Sequence, residues 1–235
     1  MNEPPAHAAE GVENLDLITT HWSTLRDNNR FLLRYAQAVR SYLLALLSNY
    51  DDADDVSHDF FVRVVERGFE HARPEHGRFR DYLKIAVRNA ALSHLRRKQR
   101  QPQTLNALQC IVPDGAADRE WLREWQTCVL ERAWRALERH QRVSPDNLFH
   151  TVLRAHVDHP DDDSRILADR VATAAGRPLS SEAYRKQLSR ARRQFALLIV
   201  DEVVQTLKSP TSEEIMEELT EIGLRDYVAP YLTKT

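Results

Sequence analysis

Three cations in the first half of the chain, Arg80, Lys84 and Arg88, recur at four-residue spacing. On a helix this spacing places them on one face along a rise of about 12 Å, which suits the phosphates of a nucleic acid. Each neutralised phosphate releases bound counterions, and this offsets the repulsion between the like charges. Phe79 and Tyr82 lie beside the cations, and bases of opened DNA stack on such rings. The pattern indicates a surface for nucleic acid, including single strands.

A second interpretation of the same helix stays open. Phe79 also starts an apolar stripe with Leu83, Ala86 and Ala90, at the spacing that a helix buries against its neighbours. In that case the cations only form the solvent-exposed outer face of the helix and bind nothing.

The distribution of charge is more informative than its average, because the whole chain carries a formal net charge of only −2. Residues 71–100 hold nine Lys or Arg against two acids, a net charge of +7, and end in the basic run Arg96-Arg97-Lys98-Gln99-Arg100. Residues 185–193 hold five basic residues and no acid. Residues 201–226 hold eight acids against two basic residues, which indicates an acidic C-terminal helix.

The second basic segment is predicted to be a helix with one apolar seam, which includes Tyr184, Leu188 and Phe195. A shorter helix and a Gly-containing turn at 176–179 precede it, which is the helix-turn-helix layout. The outward side chains suit phosphates and base edges in the major groove, and they are Ser181, Arg185, Lys186, Ser189, Arg190 and Arg193. The alternative of a charged outer face that binds nothing stays open.

Five aspartates and a histidine crowd the start of another predicted helix, at Asp51, Asp52, Asp54, Asp55, His58 and Asp59. Capping and the helix dipole account for the first two, but the dipole effect fades after the first turn. Asp55 and Asp59 therefore favour an electronegative docking face for a partner. Asp55 and His58 also have the spacing of a carboxylate–histidine metal pair, but a dinuclear helical site needs a second pair, which the sequence lacks on a predicted helix. We predict no metal and no cofactor.

The fold class is predicted to be all-α, because glycine is scarce, good helix formers dominate and no hairpin signal is found. Two helical domains are expected at 17–100 and 119–207, joined by a Pro-containing linker at 101–118. A disordered N-terminus is expected at 1–16 and an acidic helix or tail at 208–235. Two cysteines, no secretory pattern and no long apolar run predict a soluble, cytoplasmic protein without a membrane segment. The absence of a Gly-rich phosphate loop and of hydrolase motifs predicts that the protein is not an enzyme.

Several of these segments resemble bacterial RNA polymerase sigma factors. Residues 53–61, ADDVSHDFF, resemble the Ala-Glu-Asp motif of sigma region 2, and residues 79–89, FRDYLKIAVRN, resemble the segment that follows it. Leu95-Arg96-Arg97 is similar to the end of that region. Residues 184–192, YRKQLSRAR, resemble region 4. The two regions in this order, joined by a linker, resemble the short extracytoplasmic-function (ECF) group.

The resemblance implies roles for these residues. Asp54, Asp55, His58 and Asp59 would bind the β′ clamp helices of core RNA polymerase, with the β subunit as a further contact. The loop at 68–77 would cradle a flipped base, and the helix at 181–195 would read the minus-thirty-five element of promoter DNA. The minus-ten element would be opened and held by a larger set, which is Phe79, Arg80, Tyr82, Lys84, Arg88, Asn89, Arg96, Arg97 and Arg100.

This chain departs from the family pattern at several positions. His58 stands where the family has Gln, which predicts a docking contact that is either weaker or sensitive to pH. Tyr82 replaces a Trp and keeps a stacking face, and the turn at 176–179 is unusual for region 4. The acidic tail lies outside the common pattern, and both a partner site and an autoinhibitory cover for a basic helix stay open.

The sequence therefore predicts a sigma factor that binds core polymerase and directs promoter recognition, DNA opening and transcription initiation. The first alternative is a helix-turn-helix regulator, or a degenerate sigma-like protein that lacks initiation activity. The second is a helical adaptor that binds only proteins. An anti-sigma factor or another regulator is left open as an additional partner.

Overall fold

The computed structural model describes residues 28–68, 78–99, 115–207 and 210–232. Every regular element within these ranges is an α-helix, which confirms the all-α prediction. In chain order the helices are α1 (Asn28–Leu47), α2 (Tyr50–Arg67), α3 (Phe79–Gln99), α4 (Gly115–Val143), α5 (Phe149–Asp158), α6 (Ser164–Ala175), α7 (Ser181–Val204), α8 (Ser212–Glu221) and α9 (Arg225–Leu232).

The helices divide into two compact units. Unit 1 comprises the described residues up to Trp121 together with Val204–Pro210. Unit 2 comprises Leu122–Val203 and the described residues from Thr211 onward.

Unit 1 is built on α1, α2 and α3, each of which packs against the other two. Each helix buries one apolar seam, which removes apolar surface from water and is the main stabilising term. The buried residues are Tyr35, Ala38, Val39, Tyr42 and Leu43 of α1, Ala53, Val56, Phe60 and Val64 of α2, and Phe79, Leu83, Val87, Ala90, Ala91 and Leu95 of α3.

Local signals define both ends of α2. The Asn49 side chain accepts a hydrogen bond of 2.9 Å from the backbone N–H of Asp52, which satisfies a donor of the first turn. The helix ends at Gly68, whose backbone φ of 62° is one that residues other than glycine rarely adopt. The Asn49 cap therefore fixes the first turn of α2, where the acidic start indicated by the sequence lies.

The first turns of α4 also belong to unit 1. Ala117 and Trp121 are buried, and the Trp121 ring lies 5.1 Å from the Tyr42 ring of α1, centroid to centroid. Residues 115–118, which we assigned to the linker, are therefore helical. The expected linker residues 101–114 and the expected disordered segment 1–16 lie outside the described residues, and the domain boundaries stay predictions.

Unit 2 contains the rest of α4, which contacts α5 and α7, and α6, which packs against α5. Trp125 and Leu137 of α4 are buried, as are Leu188 and Phe195 of α7. The guanidinium of Arg132 on α4 donates two hydrogen bonds to the carboxylate of Glu202 on α7, and this buried pair connects the two helices.

The predicted acidic tail forms two helices that belong to unit 2. Thr211 and Glu214 form a reciprocal capping box at the start of α8. Leu219, Ile222 and Val228 are buried, and the Tyr227 ring of α9 packs edge-on against Phe195 of α7 at 6.0 Å. The tail is therefore part of the core of unit 2. Of the helices described, none is long and apolar enough to cross a lipid bilayer.

Two neighbouring positions of α3 test the packing of unit 1. Leu83 is fully buried, whereas Ile85 is 59% exposed. Leu83→Ala should lower the free energy of unfolding of this unit by about 2–5 kcal/mol, because it leaves a cavity. Ile85→Ala, the control, should change it by less than about 0.5 kcal/mol. Urea unfolding followed by circular dichroism measures both, and equal effects would mean that α3 is packed on a different face.

Candidate nucleic-acid and protein-binding surfaces

The two residues at the start of α3 do not lie on the exposed face expected for them. Phe79 is 5% exposed, and its ring lies 5.5 Å from that of Tyr35 in α1. Arg80 is 3% exposed. Phe79 therefore packs in the core, as the second interpretation of this helix holds, and its ring offers no free face for a base. A DNA contact by either residue stays a prediction that this burial disfavours.

Lys84 and Arg88 lie further along α3 and are half-buried. The Nζ of Lys84 lies 2.9 Å from a carboxylate oxygen of Asp118, in the first turn of α4. With Arg80 buried and Lys84 paired to an acid of its own chain, the three cations do not form one open stripe.

The basic end of α3 is partly neutralised by the acidic start of α2. Lys98 Nζ lies 2.7 Å from a carboxylate oxygen of Asp52, and His94 Nε2 lies 3.0 Å from the other. Burial of Asp52 opposes its ionisation, but the hydrogen bonds from Lys98 and His94 outweigh it and hold the pKa of the carboxyl below its usual value. Arg97 lies 3.7 Å from Asp59, whereas Arg96 is exposed with no ion pair to a described residue. Arg100 lies outside the described residues.

A cleft between the end of α2 and the middle of α3 brings two predicted site residues together. Tyr82 and Asn89 line it from α3, and its volume is about 250 Å³. Arg63 and Arg67 line it from α2, one turn apart, and both are exposed. The cleft ends at Gly68, where the loop expected to cradle a base begins, but residues 69–77 of that loop lie outside the described residues.

Sequence reasoning missed Arg63 and Arg67. Their four-residue spacing was a usable signal, since it places two cations on one face of α2 next to the loop. Both arginines precede residues 71–100, so they are not part of the net charge of +7 given for that segment.

The acidic face of α2 divides into paired and open positions. Asp54 accepts two hydrogen bonds, of 2.7 and 3.0 Å, from the guanidinium of Arg40 in α1. Asp55 and His58 are exposed and make no ion pair with any residue that the structure describes. Val62 and Val65 follow on α2, 39% and 45% exposed. In the described ranges no group of three or more His, Cys, Asp or Glu could hold a metal ion.

In unit 2, α6 and α7 are joined by the five-residue connection 176–180. Gly176 ends α6 in the left-handed conformation, with φ of 63°, and Ser180 accepts a hydrogen bond from the backbone N–H of Ala183 at the start of α7. Ser181 is half-buried, and the other predicted residues of this helix, Arg185, Lys186, Ser189, Arg190 and Arg193, are all exposed. Lys186 pairs with Glu182 at 2.8 Å, whereas Arg185, Arg190 and Arg193 pair with no acid that the structure describes.

The one other cation of this run, Arg192, points toward α5. Its Nη2 lies 2.6 Å from Nε2 of His156, which accepts the hydrogen bond as a neutral ring. Burial, and then the charge of Arg192, lower the pKa of His156.

The acidic tail packs on α7 through Tyr227 and Phe195 and leaves the outer residues of α7 exposed. In this structure it therefore does not cover the basic face of α7.

Residues 31–101 match the family model for sigma-70 region 2. This segment includes α2, α3 and the cleft between them. No curated protein and no solved structure matches the chain. The part of the chain that carries the acidic face and the cleft is thus similar to sigma-70 region 2.

The contact between His156 and Arg192 predicts that unit 2 loses stability in mild acid. A histidine whose pKa is lowered in the folded state contributes stability that is present above its unfolded pKa, near 6.5, and lost as the pH falls through the folded value. Thermal unfolding between pH 7.5 and 5 should therefore show a fall in midpoint. His156→Gln should flatten this fall, because an amide oxygen still accepts from Arg192 but does not titrate. The exposed His159 gives the matched control, His159→Gln, and a control that flattened the fall equally would contradict the assignment.

Proposed function

We propose that this protein is a sigma factor of the ECF type, which binds core RNA polymerase, directs promoter recognition and opens promoter DNA. The observation that carries the proposal is the match of residues 31–101 to sigma-70 region 2. That match supports polymerase binding and promoter recognition in general terms. The surfaces of the two units support the finer assignments. The protein itself catalyses no reaction, and it acts in the cytoplasm, where polymerase works.

Polymerase binding is assigned to the outer face of α2. Asp55 and His58 are exposed and unpaired among the described residues, and Val62 and Val65 extend this face with exposed apolar surface. Charged groups steer a partner and fix its register, while apolar side chains contribute burial. Asp54 and Asp59 belong to the same assignment, but each must exchange or share its present partner, Arg40 or Arg97.

Binding of the minus-ten element is assigned to the cleft and to the cations around it. Tyr82 offers a stacking face, Asn89 offers an amide that can pair with a base edge, and Arg63 and Arg67 supply positive charge for the backbone. Arg96 of α3 is exposed and makes no ion pair with a described acid, which leaves it available for phosphates. Arg88 also makes none, but it lies on the side of α3 near Tyr42 of α1, away from the cleft, where it and Lys84 would hold a separate stretch of the DNA backbone. A base turned out of the stack needs such a pocket beside a basic track.

Reading of the minus-thirty-five element is assigned to α7, as the second helix of a helix-turn-helix. The connection 176–180 is short, and Arg185, Ser189, Arg190 and Arg193 share the exposed side of α7. Residues near the start of such a helix reach base edges, and those further along contact phosphates. The assignment to sigma region 4 rests on this geometry and on the resemblance of residues 184–192.

A second candidate is a helix-turn-helix regulator that binds DNA without initiating transcription. The open basic face of α7 favours it, because that face needs no polymerase to bind duplex DNA. An initiation assay with core polymerase and a promoter library separates the two candidates, since only a sigma factor yields transcripts.

Charge reversal on α2 tests polymerase binding. Asp55→Arg should reduce capture of core polymerase in a pull-down at least about tenfold, because it places a cation on an anionic docking face. Asp161→Arg, at an exposed turn of unit 2, is the charge-matched control and should leave capture unchanged. Full capture by the α2 variant would favour the plain regulator.

Removal of one exposed cation tests the reading helix. Arg185→Ala should cost about 1–3 kcal/mol of duplex binding and relax base preference at one upstream position if it contacts a base, or reduce the salt slope by about 1 if it contacts a phosphate. Arg142→Ala, on the exposed side of α4, should do neither. A titration of labelled promoter duplexes at several salt concentrations measures both effects, and identical curves for all three proteins would remove α7 from the interface.

A further inference from the structure

The first two turns of α4, Gly115–Trp121, are held in unit 1 by burial of their apolar side chains, including a ring contact with α1. Trp121 is fully buried and Ala117 is 5% exposed, and the Trp121 ring packs on Tyr42. Asp118 lies between these two anchors in the sequence, so its position within unit 1 is set by their burial.

The carboxylate of Asp118 is directed at the cations of α3. It lies 2.9 Å from Nζ of Lys84, whose side chain is 26% exposed. It also lies near the buried hydroxyl of Tyr42: burial raises the pKa of Tyr42 to about 12, the charge of Asp118 adds to this, and the charge of Arg88 opposes it. Asp118 and Lys84 are therefore in contact at the junction of α1 and α3, and Arg88 lies close enough for its charge to act on the same hydroxyl.

We propose that Asp118 is an autoinhibitory anion, which occupies on Lys84 the place that a nucleic-acid phosphate takes when the protein binds DNA. A carboxylate and a phosphodiester compete for the same ammonium group, since each accepts its hydrogen bonds and neutralises its charge. A phosphate that approaches Lys84 also meets the negative charge of Asp118. Binding of a strand along this face thus requires Lys84 to leave Asp118. This inference rests on the proposed function, because it concerns the regulation of the α3 surface.

Removal of the charge at position 118 tests the proposal without a change of shape. Asp118→Asn should strengthen binding of a single-stranded oligonucleotide at low salt by about two- to fivefold, the range expected for an ion pair that is still partly open to water. Asp81→Asn changes the net charge equally on an exposed position of α3, and its gain should be smaller. The gain from Asp118→Asn should vanish in a Lys84→Gln background, because the competition acts through Lys84. Circular dichroism checks that each variant is folded.

A second measurement needs no DNA. Lys84 should react with an amine-selective acylating reagent about two- to fivefold faster in Asp118→Asn than in the original chain, because its ammonium is released from the carboxylate. Lys186, paired with Glu182 in unit 2, serves as the internal reference in the same digest. Mass spectrometry quantifies both sites.

The outcomes separate this proposal from the proposed function. Equal gains in Asp118→Asn and Asp81→Asn, or a gain that persists without Lys84, would overturn autoinhibition and leave DNA binding intact. Unchanged acylation of Lys84 would also overturn it. If no variant bound any oligonucleotide, DNA binding by α3 and its regulation would both be wrong, even if Lys84 became more reactive.

Discussion

One helix, α3, forms a wall of the core of unit 1, and its burial there decides which of its other side chains stay accessible. Its seam from Phe79 through Leu83 and Val87 to Leu95 is buried against α1 and α2, and this burial holds unit 1 together. Only the residues on the remaining arc can reach a partner. Tyr82 and Asn89 lie on that arc and line a cleft, whereas Arg80 does not. The periodicity of the core thus decides which of the basic and aromatic residues are accessible for the proposed contact with nucleic acid.

The chain neutralises much of the basic charge that its sequence displays. Lys84, Arg97 and Lys98 face Asp118, Asp59 and Asp52, and these acids come from α4 and α2. Such pairs contribute little stability where they are exposed, and salt weakens them further. Their larger effect is on binding, since every paired cation must exchange its partner before it can hold a phosphate. The formal charge of +7 over residues 71–100 is therefore partly neutralised by acids of α2 and α4.

Composition and apolar periodicity were sufficient to predict the all-α fold and the exposed side of α7, because both follow from contacts along one helix. The position of Arg80 was predicted wrongly for a geometric reason. A four-residue step turns a helix by about 40° more than one full turn, so Arg80 and Arg88 differ by about 80° around the axis. Arg80 falls toward the buried side. The pairing of Lys84 with Asp118 could not be predicted, since it joins residues that are distant in sequence and depends on how Trp121 packs.

The acidic tail illustrates how packing decides between two electrostatic roles. The six acids of the tail, which follows a basic helix, suggested a cover for that helix, but α9 contacts α7 at Phe195, on its apolar seam. Apolar burial therefore determines where the tail sits, and the outward residues Arg185, Arg190 and Arg193 stay exposed. In unit 1, by contrast, burial of Trp121 brings Asp118 onto Lys84. In both units a buried aromatic residue determines where nearby acids lie. Trp121 places Asp118 against Lys84, which is therefore paired, whereas the contact of Tyr227 with Phe195 leaves those three outward arginines of α7 exposed.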